Sequence, residues 1–320
     1  MPESNKSVAH NARIDAGPHA ALIAVQLLFA TWPIVGKLAL HAIPSLTLVA
    51  FRVAGAAVAL LFLARLRGKI KKVERRDWPL LALSSLLGLI LNQWLYVKGL
   101  SLTSAINATL LSTTIPVSTF LVGILIGTDS VSWRRLLGIV LAGTGVIFLI
   151  GPGRAQFSSA TRLGDWLIVS NSLCYGSYIA ISKPLMKRYN ALTVVVWIFA
   201  LGCVATVPVG IASLWRAPLT NISSTVWIEV LYIILLPTAV AYFLNAWALA
   251  RVPPSTVAVY IYLQPLIAFT LAPLILGEVL SYRAIIASLL VFAGVMVVTR
   301  RRRPLKIVSE ESYAATGTPE

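Results

Sequence analysis

Apolar runs of about 20 residues recur along this chain from Ala20 to Thr299, each long enough to cross a hydrocarbon core about 30 Å thick. They read as spans 20–40, 44–64, 79–97, 105–126, 134–150, 163–183, 192–214, 226–248, 254–276 and 282–299. Ten spans use most of the 320 residues and leave connections that are mostly short. Only 12% of the residues are charged, about half the roughly 25% that a soluble surface carries. The expected fold class is an all-α polytopic membrane protein with ten transmembrane helices. A large soluble catalytic domain, a secreted disulfide scaffold and a single-anchor protein are excluded.

The net charge of +16 would suggest nucleic acid on its own, but its distribution points to a membrane. With the amino terminus inside, 20 of the 27 Lys/Arg fall on the cytoplasmic side, seven of them within Arg65–Arg76 and five within Arg300–Lys306. Lys98, Arg154, Arg162, Arg216 and Arg283 fall outside, and Lys37 and Arg52 lie within spans. The positive-inside rule then places both termini in the cytoplasm of a cell (inner) membrane protein. The basic loops suit anionic lipid headgroups, so the expected partners are lipids and a small solute, with no nucleic acid. Cys174 and Cys203 sit inside spans without metal spacing and read as core residues. No cleavable signal is read ahead of the first span, and the polar tails 1–19 and 307–320 are expected to be disordered. No cofactor is expected.

The chain repeats itself. An offset of 149 pairs Pro116 with Pro265, Phe120 with Phe269, Asp129 with Glu278, Ser132 with Ser281, Trp133 with Tyr282, Arg134 with Arg283 and Gly145 with Gly294. An offset of 146 lays Phe29-Ala30-Thr31-Trp32 on Tyr175-Gly176-Ser177-Tyr178 and Lys37 on Lys183. Proline, acid, aromatic and arginine falling into register together imply two units, 20–150 and 163–299, joined by an external linker at 151–162 and flanked by tails 1–19 and 300–320. Five spans per unit is an odd number, so the second copy would enter the membrane in the opposite sense. Such inverted repeats let a central cavity open to alternate sides, which makes a carrier the leading reading.

Ten spans in two such repeats resemble the drug/metabolite transporter superfamily, in its EamA-type family. The resembling residues are the Phe29–Trp32 stretch with Lys37, then Arg52, then Leu100, Ser104-Ala105, Pro116 and Asp129. In the second copy they are Leu249, Ser255, Pro265 and Gly277-Glu278, and the Gly138…Gly145 run also matches. Asp129-Ser130 departs from the family's Gly-Glu pair, which Gly277-Glu278 keeps. The resemblance covers about 20–300 and implies a transporter of amino acids, other metabolites or toxic compounds. Export is expected, with a proton- or solute-coupled importer as the alternative.

Interrupted spans in matching positions mark a transporter's cavity. Pro116 and Pro265 lie in the middle of spans 4 and 9 and offer no N–H to the carbonyls of Ser112 and Ile261. They are expected to act as hinges or cavity walls, or else as packing kinks repaired by the hydroxyls of Ser112, Thr113 and Thr114. Around that depth sit Thr31, Trp32, Asn92, Gln93, Tyr96, Asn171, Ser172, Tyr175, Tyr178, Tyr242, Asn245, Tyr260, Tyr262 and Gln264. Buried amides and hydroxyls are costly unless bonded, so they should face the bundle interior. The candidate solute-binding set is Trp32, Asn92, Tyr96, Thr113, Tyr178, Tyr242, Tyr260 and Gln264. Trp32 and Tyr178 are suited to be aromatic gates; interhelical hydrogen bonding is the competing account for each polar member.

Arg52 reads either as a contact to helix-end carbonyls, which is preferred, or as a counter-charge for a solute carboxylate. Lys37 and Lys183 are expected to snorkel to the headgroups. No Asp or Glu occupies the middle of a span, Glu229 lies near the outer end of span 8, and His10, His19 and His41 lie in the tail or at span ends. A proton relay is therefore not expected, and exchange down the solute gradient leads. An intramembrane enzyme would need paired catalytic groups or a metal motif such as His-Glu-x-x-His, and neither is present. A channel ranks low as well, for want of a selectivity-filter loop. Gly138, Ala142, Gly143 and Gly145, with Ala284 and Ser288, form small-residue faces for helix packing. They suit contacts within a monomer or, secondarily, a homodimer.

Overall fold

The computed structural model describes residues 16–67, 70–127, 133–150, 159–217, 219 and 222–299. Ten helical rods hold nearly all of them. In chain order they are α1 (Ala16–Leu40), α2 (Ser45–Arg67), α3 (Arg75–Leu102), α4 (Ala105–Leu125) and α5 (Trp133–Ile150), then α6 (Ser159–Arg188), α7 (Ala191–Arg216), α8 (Ser224–Leu249), α9 (Pro254–Leu276) and α10 (Tyr282–Thr299). No strand occurs among the described residues.

Seven rods are long and apolar enough to cross a membrane, and α5 and α10 carry the shorter apolar stretches Leu136–Leu149 and Tyr282–Gly294. α6 spans 30 residues yet is not among the seven. It packs against α3 and α4 and buries Asn171, Ser172 and Ser182. These three polar residues therefore meet other helices rather than lipid. The molecule is an all-α, multi-pass membrane protein.

Most rods run a few residues beyond the spans read from the sequence, and α3 and α6 each extend five residues further at their C-terminal ends, to Leu102 and Arg188. Residues 16–19, expected in the tail, form the first turn of α1. Residues 159–162, expected in the linker, open α6, and α3 starts at Arg75 rather than 79. The remaining tail and linker residues, together with Asp129 and Ser132, lie outside the described residues.

Packing follows an exchange of the two halves. α2 lies on α7 and α5 lies on α10, while the α1–α9 contact is matched by α6–α4 and the α1–α8 contact by α6–α3. The offset of 149 that aligns the sequence also relates backbone irregularities: a π-helical segment at Leu86–Leu91 recurs at Leu235–Val240, and α5 recurs as α10. The small-residue faces of α5 and α10 are spent within the chain only in part, since a methyl on Gly143 would meet nothing within 4 Å. A methyl on Gly294 would lie 2.4 Å from the Ala142 nitrogen, and one on Gly145 would lie 3.0 Å from the Ala287 oxygen. Without a hydrophobic drive between helices in lipid, such close backbone contact supplies the packing.

Candidate functional site

α4 and α9 are each interrupted just before their mid-span proline. In α4 the helix breaks at Thr113-Thr114, whose N–H groups reach back three residues, to Leu110 and Leu111. In α9 a 3₁₀ turn at Tyr260–Tyr262 holds the same place. Pro116 and Pro265 then sit in the first turn of the segments that follow, where a missing N–H costs least. Hydroxyls add second bonds around this break without reaching the Ser112 carbonyl that Pro116 leaves short of a donor: Thr113 donates to the Leu110 carbonyl at 2.6 Å, Thr114 to Leu111 at 2.7 Å and Ser112 to Ala108 at 2.8 Å.

α3 and α8 are widened instead of broken. In α8, Pro237 offers no N–H to the Ile233 carbonyl, and the Thr238 hydroxyl donates to it at 2.7 Å. The same Oγ1 accepts from Arg52 Nε at 3.1 Å, while Arg52 Nη1 donates to Gln93 Oε1 at 2.7 Å. The guanidinium carbon lies 3.6 Å from the Trp32 ring centroid, a cation–π contact on the best aromatic acceptor. Arg52 is thus held by side chains of α1, α3 and α8, and the expected contact to helix-end carbonyls is not what the structure shows. Its neighbours extend the network. Gln93 Nε2 donates to the Tyr242 hydroxyl at 2.9 Å, and that hydroxyl faces Asn92 Oδ1 at 3.0 Å and the Gly88 carbonyl, inside the π segment of α3, at 3.2 Å. π segments of this kind often mark functional positions.

These groups wall a cavity of about 60 Å3, well below the roughly 300–1,000 Å3 of small-molecule sites, so it must widen before it can take a solute. α1 contributes Gln26, Phe29 and Trp32, α2 contributes Arg52, and α3 contributes Asn92, Gln93 and Tyr96. Ser112 and Ile115 come from α4; Asn171, Tyr175 and Ile179 come from α6. α8 adds Tyr242 and Asn245, and α9 adds Val257, Ile261 and Gln264. Both halves of the chain therefore supply walls. Ser112 and Ile261, the residues four positions before the two prolines, both line it.

Of the eight sequence candidates, Trp32, Asn92, Tyr96, Tyr242 and Gln264 come together here. Thr113, Tyr178 and Tyr260 are not among the lining residues. Thr113 is fully buried and turns its hydroxyl onto Leu110. Tyr178 packs its ring on Gly88, where a methyl would come within 2.4 Å, and stacks 5.6 Å from Tyr175. Tyr260 bonds His19 Nδ1 at 2.6 Å. Sequence reasoning missed Gln26 and Phe29. Phe29 aligns with Tyr175 under the 146 offset, and Gln26 is the lone amide in α1; either signal could have found them. Gln26 accepts from Gln264 Nε2 at 2.6 Å, joining α1 to α9 across the cavity.

The bundle is pinned at both ends. Gly277 ends α9 with φ 65°, in the left-handed region that favours glycine, and Glu278 follows it. The Glu278 carboxylate takes the N–H groups of Ala105 at 2.6 Å and Ile106 at 2.9 Å, orphan donors of the α4 N-terminus. Nearby, buried Asp165 accepts from the Thr103 hydroxyl and Asn107 Nδ2. At the opposite ends, Lys183 donates to the Leu249 and Val252 carbonyls that close α8, rather than reaching to headgroups. Asp77 pairs with Arg188 and accepts from the Tyr189 hydroxyl at 2.7 Å. No group of His, Cys, Asp and Glu able to hold a metal occurs among the described residues.

Comparisons with known proteins agree with this architecture. The sequence profile of the EamA-like transporter family matches residues 18–151 and again 162–300. The chain is 27% identical to a protein named "Uncharacterized transporter" from Archaeoglobus fulgidus, covering 89% of this chain and 98% of the relative. It is 29% identical to a "Probable terminal-alkyne amino-acid exporter" from Streptantibioticus cattleyicolor, over 78% of this chain and 82% of that one. It is 25% identical to "Protein WALLS ARE THIN 1" of Arabidopsis thaliana, over 88% and 82%. One solved crystal structure superposes with a TM-score of 0.66 at 18% identity, covering 89% of this chain and 97% of the other, which supports the fold alone.

Proposed function

The chain belongs to the EamA-like transporter family of the drug/metabolite transporter superfamily, and from that premise we propose that it carries small organic solutes by alternating access. Amino acids, related metabolites and amphipathic drugs are the candidate cargo, export across the cell inner membrane is the direction, and both termini are cytoplasmic. The observation that carries this reading is the cavity: helices of both halves wall it with amides, hydroxyls and aromatic rings. A relative named as an amino-acid exporter supports the cargo class and the direction. Five helices in each half make the second half enter the membrane opposite to the first. Relative rocking of the halves would then open the same cavity to either side.

The residues we assign to solute contact are Trp32, Asn92, Tyr96, Tyr242 and Gln264, with Pro116 and Pro265 as the points where α4 and α9 flex. Tyr178 and Tyr260 act at the margins, behind the wall. The cavity lining contains no carboxylate, so exchange driven by the solute gradient is the energetic reading. The partners are the solute and the surrounding lipids, with no nucleic acid; Gly145 and Gly294 are packed between α5 and α10 while Gly143 stays open, which suits a monomer or a homodimer.

Counterflow in proteoliposomes tests this. Preloading with solute should accelerate uptake of labelled solute, and Trp32→Ala and Gln264→Ala should slow it at least several-fold. A lack of trans-stimulation would sink the carrier reading. Unchanged flux in folded Pro116→Ala, Pro265→Ala, Trp32→Ala and Gln264→Ala would sink the site.

A further inference from the structure

Arg52 is 1% exposed, inside the bundle, and lines the cavity. A guanidinium stays protonated in any protein environment, so a full positive charge faces that space. What surrounds it is neutral: Thr238, Gln93 and the face of Trp32. No carboxylate forms an ion pair with it among the described residues, and none lines the cavity. Its two side-chain hydrogen bonds use Nε and Nη1. Neutral dipoles orient such a cation without neutralising it, and a charge held inside a membrane protein is expensive unless an anion completes it.

We propose that Arg52 is the anion-binding residue of the cavity and that the cargo is a small organic acid, with one carboxylate on an apolar or aromatic body. This rests on the transporter reading and narrows it. The contacts already made by Nε and Nη1 fix the plane of the guanidinium, with Trp32 covering one face. A planar fork fixed in this way suits bidentate contact to a carboxylate. One buried cation balances one negative charge, whereas a dianion would leave an uncompensated charge in a low dielectric. The rest of the wall fits the body: Trp32, Tyr96, Tyr175, Tyr242 and Phe29 offer ring surface. Asn171, Asn245 and Gln26 have side-chain carbonyls that an α-ammonium could use. Amino acids share the carboxylate contact but bring an ammonium that no carboxylate of the lining offsets, so plain carboxylic acids are the better balanced cargo.

The test is calorimetric titration of the intact protein in lipid nanodiscs with a panel of short aromatic and branched-chain acids. Phenylalanine and 3-phenylpropionate represent the two sources, and each acid is paired with its uncharged carboxamide analogue. At least one acid should bind tenfold or more tightly than its amide. Arg52→Lys should keep the preference in weakened form. Arg52→Gln should abolish it, bringing acid and amide to equal affinity even where stability falls with the lost Thr238 and Gln93 contacts; a merely structural role would lower both affinities together and keep the preference. Should Arg52→Gln fail to fold, phenylglyoxal modification of Arg52 in the parent protein, read by peptide mass spectrometry, takes its place. That modification should be slowed by the acid and not by the amide. A panel in which no acid outbinds its amide overturns the proposal, as does an acid preference that survives Arg52→Gln or a lack of protection. Counterflow of a neutral amide alone would overturn it and leave the transporter reading standing.

Discussion

The Glu278 carboxylate takes the N–H of Ala105 at 2.6 Å, so the turn after α9 caps the first turn of α4 from the other half of the chain. A second bond, from Ile106 at 2.9 Å, makes the clamp bidentate. The α4 N-terminus presents buried N–H donors without helical partners and the positive end of the helix dipole. An anion is the natural group to hold it, and hydrogen bonds to a charged acceptor contribute about 1.5–3 kcal/mol each. Because it joins the two halves, this cap must break or move if the bundle opens at that end.

Glu278→Gln keeps the shape but removes the charge. It is expected to favour opening at this end by at least ~1.4 kcal/mol, a factor of about ten in the open population. A cysteine at Ser112, in a background with Cys174 and Cys203 replaced by alanine, reports that population. An impermeant thiol reagent applied from outside should label it about tenfold faster in the Glu278→Gln protein. Equal rates would show that the clamp does not hold this end closed.

Gly88 lies under the Tyr178 ring, where an added methyl would sit 2.4 Å from the nearest ring carbon. Tyr178 is itself only 2% exposed, so the ring has little room to retreat. Gly88→Ala is expected to destabilise the protein by about 1–3 kcal/mol, the usual cost of overpacking. Tyr178→Leu should recover part of that loss in the double variant, giving a coupling energy that thermal unfolding of the four proteins measures. Additive losses would place the strain elsewhere.

The ten rods were legible because spans of about 20 apolar residues have little alternative in lipid. The mid-span prolines pointed to Ser112 and Ile261, both of which line the cavity. What failed was the helical face. Thr113 neighbours Ser112, but successive residues on a helix point about 100° apart, and only Ser112 reaches the space. Tyr175 and Tyr178 share a face in the sequence, yet Tyr178 is drawn behind the wall by the bare backbone of Gly88. The π segment Leu86–Leu91 left no readable mark, since six mostly leucine residues fit a regular turn equally well. Its counterpart in α8 did carry a signal, Pro237. Lys183 misled for a different reason: a lysine near a span end can snorkel, but a helix C-terminus within reach offers carbonyls instead.

Orientation has a direct check. Lys and Arg crowd the α2–α3 connection and the C-terminal tail, so the positive-inside rule puts both in the cytoplasm. Single cysteines at positions 70 and 305, in the same cysteine-free background, should be labelled by an impermeant reagent only after permeabilisation. Labelling of either in intact cells would reverse the topology and the side to which Glu278 belongs.

Thr238 performs two tasks with one oxygen, and the two can be separated. Its hydroxyl hydrogen goes to the Ile233 carbonyl at 2.7 Å, and its lone pair receives Arg52 Nε at 3.1 Å. Thr238→Val removes both contacts with little change of shape; Thr238→Ser should keep both. Interhelical hydrogen bonds within membranes average about 0.6 kcal/mol, with a maximum near 1.7. Leaving the fully buried Ile233 short of a donor adds to that. Thr238→Val should therefore lower stability by about 1–3 kcal/mol, and Thr238→Ser by well under 1. Pro237→Ala discriminates further, because alanine restores an N–H four residues beyond Ile233, where proline has none. Added to Thr238→Val, it should return the part of the loss that belongs to the carbonyl. It cannot return the part that belongs to Arg52, whose Nε would still face a methyl group. If Pro237→Ala recovers the whole loss, the Thr238–Arg52 bond contributes nothing to stability. If it recovers none, the hydroxyl's service to the Ile233 carbonyl is dispensable and the π segment is held by packing alone.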